Sequence, residues 1–325
     1  MLNNAVRFIR AHNDILLVAH VSPDGDTLGS CLALYAALLQ LGKEVQIACA
    51  DPVPKIYRFL PNSEQVRALE DVRQADSLIC VDCADVARAG RCAVLFDNAE
   101  FTLNIDHHGT NDHYADENYV QKAGATGELV FGVLMNLKVN ITKDIAACLY
   151  AAITTDTGNF AYSNTTPDTL RIAAELLETG IDLPYLNRML FRTVPQHKMR
   201  LHGLAIMKTE LYEHGRIGIS TLTREDMASC GAAGEDTEGV IDNVRDIDTV
   251  EIAALLREDD DGQIRVSLRG KSSADVAKIA VLYGGGGHKL AAGCTLAPPI
   301  DLAASRILQA ATALLHGNGQ AWTAS

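Results

Sequence analysis

Three short apolar runs, each followed at once by a histidine or an aspartate, constrain this sequence more than any other feature. The runs span 15–19, 77–81 and 101–105, and the residues that follow them are His20, Asp82 and Asp106. Their length and the turn or helix-start signals around them are typical of buried strands in a parallel sheet. In such a sheet, ligands bind outside the carboxyl ends of the strands. We therefore expect these three side chains to meet at one edge of an α/β domain.

The pattern of elements changes once along the chain, which predicts two domains. An α/β domain is predicted for 1–192 and a smaller α+β domain for 204–317. The polar segment 193–203 is predicted to be a linker, or equally a stiff linking helix, and 318–325 a frayed tail. At 325 residues the chain is long enough for each domain to bury a core of its own.

Local signals place further elements within the two domains. Apolar residues at helical spacing predict a helix over 28–41, and Pro167 suits the first position of a later helix. In the second domain, antiparallel strands are predicted at 210–212 with 217–222 and at 250–257 with 263–269, and helices at 273–282 and 301–315.

Charge and hydropathy exclude several classes of protein. The net charge of -13 argues against a surface that wraps long nucleic acid by neutralising phosphates. No apolar stretch reaches the roughly 18 to 20 residues that a membrane span needs, and residues 1–10 lack an apolar secretory region. We therefore expect a cytoplasmic protein with no membrane partner.

Eight cysteines raise the question of disulfides or zinc. Cys31, Cys49 and Cys148 lie in apolar segments, which favours buried, reduced thiols. Cys80 and Cys83 form a C-x-x-C, but there is no second such pair, and an alternating strand points residues three apart to opposite faces. The sequence therefore predicts no zinc site at this pair.

Two short strings and two further aspartates carry residue types that bind divalent metals. The strings are His20-Val-Ser-Pro-Asp24-Gly-Asp26 and Asp106-His107-His108, and the aspartates are Asp82 and Asp156. Carboxylates suit hard divalent ions, whereas imidazole shifts the preference towards manganese or another transition metal. Two such ions would neutralise the carboxylates and lower the pKa of a bridging water, so that the hydroxide formed attacks phosphorus. The set indicates a two-metal phosphoester hydrolase.

The spacing within the first string also has a reason. Gly25 between Asp24 and Asp26 lets an extended or tightly turned loop direct the two carboxylates to different ions, and His20 then reaches the ion of Asp24. An alternative interpretation treats the aspartates as caps or turn formers and the histidines as surface groups. The coincidence of four segments argues against that alternative.

The order of these motifs resembles that of the DHH phosphoesterase superfamily, from about Ile15 to the end of the second domain. Arg265-Val-Ser-Leu-Arg269 and the string from Gly284 to Gly293 look like the DHH-associated C-terminal domain. Together they most resemble the NrnA-type nanoRNase and pAp phosphatase branch. The resemblance implies a Rossmann-like catalytic domain with a parallel sheet, followed by a smaller α+β domain that binds the substrate.

The resemblance also implies a role for each site residue. One ion would be held by His20, Asp24 and Asp82, and a second by Asp26, Asp82, His107 and Asp156, so that Asp82 is the bridge. His108 would act with Asp82 in catalysis by contacting the substrate phosphate. Asp106 would not be a ligand but would orient His107 or nearby backbone.

A glycine run in the second domain is a candidate substrate-binding segment. Backbone without side chains at Gly284, Gly285, Gly286 and Gly287 would let a phosphate or base approach closely, with Arg269 and His288 as donors. The alternative is a mobile connector with a surface histidine. Two interpretations of Arg245 stay open: it belongs to the same substrate site, or it forms a structural ion pair. Asp85 and Arg88 are interpreted as a cap and an ion pair of the segment that follows Asp82.

The resemblance favours manganese-dependent hydrolysis of short single-stranded oligoribonucleotides to nucleoside 5′-monophosphates, together with dephosphorylation of pAp. One alternative is a phosphodiesterase for a cyclic or linear dinucleotide such as c-di-AMP or pApA. Another is a non-catalytic nucleotide-binding regulator, which the complete ligand set disfavours. Long duplex nucleic acid is not an expected partner, because no basic, aromatic-rich track is present. The oligomeric state stays open, with a homodimer among the alternatives.

Overall fold

The chain forms two compact units, Met1–Thr193 and Val194–Ser325. A computed structural model describes residues 1–271 and 274–317. The predicted tail, 318–325, and Ser273, where one predicted helix begins, lie outside the described residues. Most of the segment predicted as a linker or linking helix lies in a helix, Gln196–Met207.

The first unit alternates strands and helices, as its sequence pattern predicts. Its strands are β1 Asp14–Ala19, β2 Glu44–Cys49, β3 Val66–Arg67, β4 Ser77–Val81, β5 Phe101–Asp106 and β6 Glu117–Val120. Its helices are α1 Leu2–Ala11, α2 Gly25–Gln40, α3 Thr126–Leu137, α4 Lys143–Asp156, α5 Pro167–Glu178 and α6 Leu183–Asn187, which continues as a π-helical turn over Arg188–Arg192. A 3₁₀ segment, Val86–Asn98, follows β4.

The strands of the first unit form one parallel sheet in the order β3-β2-β1-β4-β5-β6. Both of its faces are covered. Ile15 and Leu17 of β1 lie in the core that includes the helices, whereas Leu16 and Val18 pack in a second cluster with residues of the 3₁₀ segment. Burial on both faces explains why β1 is a continuous apolar run rather than an alternating one. The predicted α/β fold with a parallel sheet is confirmed.

Helix α2 begins three residues before the predicted start at Leu28. Asp24 is its N-cap, and the Asp24 carboxylate accepts the backbone N–H of Asp26 at 3.0 Å and of Thr27 at 3.1 Å. The expectation of an extended or turned loop through Asp26 is therefore wrong, because the cap draws Gly25 and Asp26 into the first helical turn.

The second unit is an α+β domain with helices on both faces of one sheet. Its strands are β7 Glu210–Tyr212, β8 Ile217–Leu222, β9 Ile252–Glu258, β10 Ile264–Gly270, β11 Gly286–His288 and β12 Ala291–Leu296. Its helices are α7 Gln196–Met207, α8 Arg224–Cys230, α9 Val240–Arg245, α10 Ala277–Leu282 and α11 Ile300–Leu315. Among the helices in the described parts of the chain, none has the length and apolar character needed to cross a membrane.

The two predicted strand pairs of the second unit are antiparallel, as expected, but the sheet as a whole is mixed. Its order is β11-β12-β10-β9-β8-β7, and β8 pairs with β9 in parallel. Residues of α7, α8 and α9 pack on one face, and residues of α10 and α11 pack on the other.

The tetraglycine run is a turn and an edge strand rather than a loop. Gly286 and Gly287 belong to β11, which pairs with β12. A Cβ on Gly285 would lie 2.1 Å from the carbonyl oxygen of Gly293, and one on Gly287, at φ +140°, 2.5 Å from that of Ala291. Close backbone approach at these two glycines is therefore needed for strand pairing.

All eight cysteines are free and buried, which agrees with the prediction of buried thiols. The expectation that Cys80 and Cys83 point to opposite faces is wrong, since both pack in the same apolar cluster. The strand ends at Val81, and Asp82 has a left-handed backbone with φ 61°, so strand alternation does not continue to Cys83.

Close packing of α2 on α4 predicts that Gly29 tolerates no larger residue. A Cβ on Gly29 would lie 2.4 Å from the carbonyl oxygen of Cys148 and 2.9 Å from the backbone nitrogen of Ala152. We expect Gly29→Ala to lower the free energy of unfolding by about 1–3 kcal/mol through overpacking. Urea unfolding followed by circular dichroism measures this change.

Gly132→Ala is the matched control, since Gly132 lies within α3 and a Cβ there would meet nothing within 4 Å. Alanine should stabilise that helix by about 0.5–1 kcal/mol. Equal stability of the two variants would contradict the close approach of α2 and α4.

Candidate metal centre

Three overlapping groups of histidine and aspartate lie at the carboxyl edge of the parallel sheet, and one of them consists of Asp82, His107 and His108. The other two are the candidate metal clusters. The first contains His20, which follows β1, Asp24, which caps α2, and Asp82, which follows β4. Nε2 of His20 lies 3.6 Å from Oδ1 of Asp24 and 3.4 Å from Oδ2 of Asp82. Metal–ligand bonds of about 2.1 Å set neighbouring ligand atoms about 3–3.5 Å apart, so this spacing fits one shared cation.

The second cluster contains Asp26 of α2, His107, which follows β5, and Asp156, the last residue of α4. Nε2 of His107 lies 3.6 Å from Oδ2 of Asp156 and 3.9 Å from Oδ2 of Asp26. It also lies 3.6 Å from Oδ1 of Asp82, whose other oxygen faces His20. The carboxylate of Asp82 therefore joins the two clusters.

Main-chain carbonyls set the orientation of both imidazoles. Nδ1 of His20 donates to the carbonyl oxygen of Val21 at 2.7 Å, and Nδ1 of His107 donates to that of Ala123 at 3.2 Å. Nδ1 of each ring is thereby the donor to the backbone, and each Nε2 faces the carboxylates. This arrangement is the one in which histidine binds a metal.

The carboxylate of Asp26 is fixed by the amino-terminal end of helix α3. It accepts the backbone N–H of Thr126 at 2.7 Å and of Gly127 at 2.9 Å, and the hydroxyl of Ser30 at 3.2 Å. Ala125, the N-cap residue of α3, offers no capping side chain, so Asp26 supplies the anion that this helix end favours.

The buried carboxylates carry more negative charge than their neighbours offset. Burial raises the pKa of Asp26 well above its usual value, and the nearby Asp82 and Asp156 raise it further. Burial also lowers the pKa of His20, but its contacts with Asp24 and Asp82 outweigh that effect and raise it to about 10. Both shifts show that positive charge is favourable at this edge, and divalent cations would supply it. The donor set therefore fits a divalent metal.

Asp82 is held in an uncommon backbone conformation by its neighbours. It has φ 61°, its backbone N–H donates to the carbonyl oxygen of Ile105 at 2.9 Å, and the Thr126 hydroxyl donates to its Oδ1 at 2.8 Å. Left-handed backbone is unusual for a residue other than glycine and concentrates at functional sites. Here it turns the carboxylate between the two clusters.

His108 differs from the other two histidines, because a carboxylate fixes it. Its Nδ1 donates to Oδ1 of Asp106 at 2.7 Å, and the ring is 41% exposed. That hydrogen bond raises the pKa of His108, although burial opposes it. Nδ1 also lies 3.7 Å from Oδ1 of Asp82, yet its proton is directed to Asp106. Nε2 therefore remains for another partner.

Asp106 itself lies inside the protein and away from both clusters. It is fully buried, and its other oxygen accepts from Nδ2 of Asn111 at 2.6 Å. Asp106 bonds to the ring and the backbone of His108. The ring of His107 is held by the Ala123 carbonyl instead.

The sequence does not predict the contacts that three further residues make at this edge: Thr126, Asn111 and Arg88. Asp85 does cap the 3₁₀ segment, accepting the backbone N–H of Arg88 at 3.0 Å. The guanidinium of Arg88 does not pair with Asp85, however, and one of its nitrogens lies 3.3 Å from Nδ1 of His20. Thr126 and Asp82 are more than 40 residues apart in the chain, and contacts between such distant residues produce no local sequence pattern.

The candidate substrate-binding residues of the second unit share one face of its sheet. Ala291 of β12 is the register partner of both His288 in β11 and Arg269 in β10. His288 is exposed, and Arg269 is partly exposed with its Nε 3.7 Å from Oδ1 of Asp242. Arg245 is paired with Asp242 at 2.9 Å and with Asp246 at 2.8 Å, which supports the interpretation as a structural ion pair.

Comparison with known proteins agrees with the two units and the motifs. The description "DHH family, N-terminal domain" matches residues 14–153, and "DHHA1 domain" matches residues 226–317. The chain is 37% identical over 300 residues to the bifunctional oligoribonuclease and PAP phosphatase NrnA of Thermus thermophilus, covering 91% of this chain and 88% of that protein. It is 27% identical to the protein of that name in Bacillus subtilis, with 91% and 93% covered.

Among solved structures, an exopolyphosphatase-related protein from Bacteroides fragilis has a TM-score of 0.87 at 26% identity. The match covers 97% of this chain and 96% of that one. The fold, the order of the motifs and these relatives lead to the same conclusion. The chain belongs to the DHH phosphoesterase family, with a DHH domain followed by a DHHA1 domain, and it is a hydrolase that acts on phosphoester bonds.

Proposed function

We propose that this chain hydrolyses short single-stranded oligoribonucleotides to nucleoside 5′-monophosphates and removes the 3′-phosphate from pAp. The observation that carries the proposal is the pair of histidine–aspartate clusters joined by Asp82. The proposed substrates are those in the names of two relatives, at 37% and 27% identity, and these names give both activities.

Two divalent ions, most favourably Mn²⁺, are the proposed cofactors. His20, Asp24 and Asp82 would hold one, and Asp26, Asp82, His107 and Asp156 the other. Two ions that share a carboxylate supply a Lewis acid that activates water and offsets the charge of the phosphate. The chain's own part is to orient both imidazoles through the carbonyls of Val21 and Ala123, so that each Nε2 faces the position of the ion it would bind.

His108 is proposed to contact the substrate phosphate. Its Nδ1 is engaged by Asp106 and its ring is 41% exposed, so Nε2 is the atom that a phosphate oxygen can reach. A proton on Nε2 would donate to that oxygen and stabilise the charge that develops there. Asp106 and Asn111 hold the ring for this role.

In the DHHA1 domain, the proposed nucleotide-binding groups are Arg269, His288 and the backbone of 284–287. The small side chain of Ala291 separates Arg269 and His288 on one sheet face, which leaves space between two donors. A Cβ on Gly284 or Gly286 would meet nothing within 4 Å, so the backbone there is open to a ligand. A guanidinium and an imidazole suit phosphate or sugar oxygens.

Substrate length tests the proposed function directly. With Mn²⁺, we expect fast hydrolysis of pAp and of RNAs of two to five nucleotides, and slow hydrolysis at ten and thirty. A chain with net charge -13 repels the additional phosphates of a long strand. Mg²⁺ should support lower rates, because imidazole ligands favour a transition metal. Initial rates at fixed salt measure both effects.

Rates that stay constant or rise with RNA length would contradict the preference for short substrates. Faster hydrolysis of c-di-AMP or pApA than of other dinucleotides would favour the dinucleotide alternative. Equal rates with either metal would contradict the proposed Mn²⁺ preference.

Arg269→Ala and His288→Ala should each raise KM for a dinucleotide while leaving Mn²⁺ affinity unchanged. Loss of one charge-assisted hydrogen bond corresponds to about 10-fold or more. An activated aryl phosphodiester, which lacks the nucleotide, should react at the wild-type rate. Steady-state kinetics on both substrates and calorimetric metal titration provide the measurements.

Arg265→Ala is the matched control for that pair of variants. Arg265 lies on the same face of β10, but it is already held by Asp259 at 2.8 Å and by Asp261 at 3.0 Å. Its loss should leave dinucleotide KM near the wild-type value. Equal losses on the aryl diester, or weaker metal binding, would show that Arg269 and His288 have a different role.

Thr126→Val should lower the affinity for the divalent ion by about 10- to 100-fold, because Asp82 loses the hydroxyl that orients it. Valine keeps the shape of threonine, so the fold should persist. Thr165→Val is the control, since the buried Thr165 hydroxyl has no hydrogen-bond partner among the described residues. Calorimetric titration with Mn²⁺ compares the two, and equal affinities would contradict the role of Thr126.

A further inference from the structure

A cavity of about 490 Å³ lies beside the metal clusters in the DHH domain. Its wall includes the end of β2 at Cys49, Asp51, which follows it, and Arg67 of β3. Arg58 and Arg91 complete the basic part of the lining. The cavity thus lies at the carboxyl ends of β2 and β3, on the sheet edge where ligands bind in parallel α/β domains.

Three guanidiniums line this one cavity, although the chain as a whole has a net charge of -13. Arg91 is partly satisfied, by an ion pair with Glu70 and a bond from its Nε to the Ala50 carbonyl. Arg58 donates its Nε to the carbonyl oxygen of Val53 at 3.0 Å. Within the described residues, neither Arg58 nor Arg67 forms an ion pair with a carboxylate.

The acidic residues of the lining are engaged by other donors. Oδ2 of Asp51 accepts the backbone N–H of Ser22 at 2.6 Å, and Oε1 of Glu64 accepts from Nε2 of Gln65 at 3.1 Å. The pKa of Glu64 is lowered chiefly by its own backbone N–H and by Gln65, and to a smaller extent by the charge of Arg67. Even so, guanidinium groups outnumber carboxylates in the lining, and such forked donors favour phosphate.

The cavity is connected directly to the segment that carries His20. Sγ of Cys49 contacts the carbonyl oxygen of His20 at 3.4 Å, and Asp51 holds the backbone of Ser22. Strands β1 and β2 are neighbours, about 4.8 Å apart. The ends of β2 and β3, which line the cavity, are one and two strands away from the end of β1, which His20 follows. That lateral spacing is on the scale of one nucleotide step.

We propose that this cavity binds a second phosphate of an oligoribonucleotide, the one adjacent to the phosphodiester that is cleaved. This inference rests on the proposed function, and it adds a recognition site for the same substrate. Arg58 and Arg67 are the principal donors. The dinucleotide ApA has only the scissile phosphate, whereas ApApA has one more, so the cavity acts on ApApA alone.

The test compares kcat/KM for ApA and ApApA in the full chain with Mn²⁺. In Arg58→Gln/Arg67→Gln we expect the value for ApApA to fall about 10- to 100-fold while that for ApA stays unchanged. Arg73→Gln is the matched control. Arg73 is paired with Asp14 and Glu44, at the amino ends of β1 and β2, and its loss should change neither value.

An equal loss on both substrates, or no loss on ApApA, would overturn the proposal. A free-anion effector site would also overturn it. In that case, inorganic phosphate would change ApA hydrolysis in the wild type but not in the double variant, with the ratio of ApApA to ApA unaltered.

A binding measurement separates this proposal from the proposed function. Calorimetry with ApApA and chelated metal should show weaker binding for the double variant than for Arg73→Gln, with a slope against log salt smaller by about 0.7. If the wild type hydrolyses neither substrate, the proposed function fails. The binding comparison then still tests whether the cavity binds a phosphate. Equal affinity and equal slope would then refute the cavity as a phosphate site.

Discussion

Negative charge gathered at one buried sheet edge is the constraint on which the first unit depends. Asp26 and Asp82 are 1% and 2% exposed, so neither is screened by water. The amino-terminal end of α3 compensates part of this charge through two backbone N–H groups on Asp26 and the Thr126 hydroxyl on Asp82. The same contacts cap a helix whose own N-cap residue is an alanine. Fold and site therefore share their strongest polar interactions.

The three histidines separate into two kinds according to the acceptor behind each ring. The Nδ1 atoms of His20 and His107 donate to main-chain carbonyl oxygens, which leaves Nε2 of each ring facing the carboxylates of the clusters. A carboxylate stands behind His108, and it favours the imidazolium. Adjacent histidines in one string thereby acquire different chemistry, because Asp106 is reached only by the second of them. The acceptor, rather than the motif, therefore distinguishes the environment of His108 from that of His107.

What the sequence could predict was local. The buried strands, the Pro167 helix start and the residues of both clusters follow from short patterns, and the structure brings those residues together at one edge. The apolar pattern alone places the start of α2 at Leu28, because Gly25, Asp26 and Thr27 are not apolar and are drawn into the helix by the Asp24 cap. The pairing of Gly287 with Ala292 could not be predicted, because a run of glycines has no apolar alternation that would indicate a strand.

Other features could not be predicted, because they depend on contacts between distant segments. Asp26 reaches Thr126 across 100 residues, and Thr126 reaches Asp82 across 44. The cavity beside the clusters is of this kind too, since Arg58, Arg67 and Arg91 come from three separate segments. The net charge of -13 acts over distances limited by a screening length of about 8 Å, whereas guanidiniums in a cavity act at contact. An acidic chain can therefore repel a long strand and still bind the few phosphates of a short one.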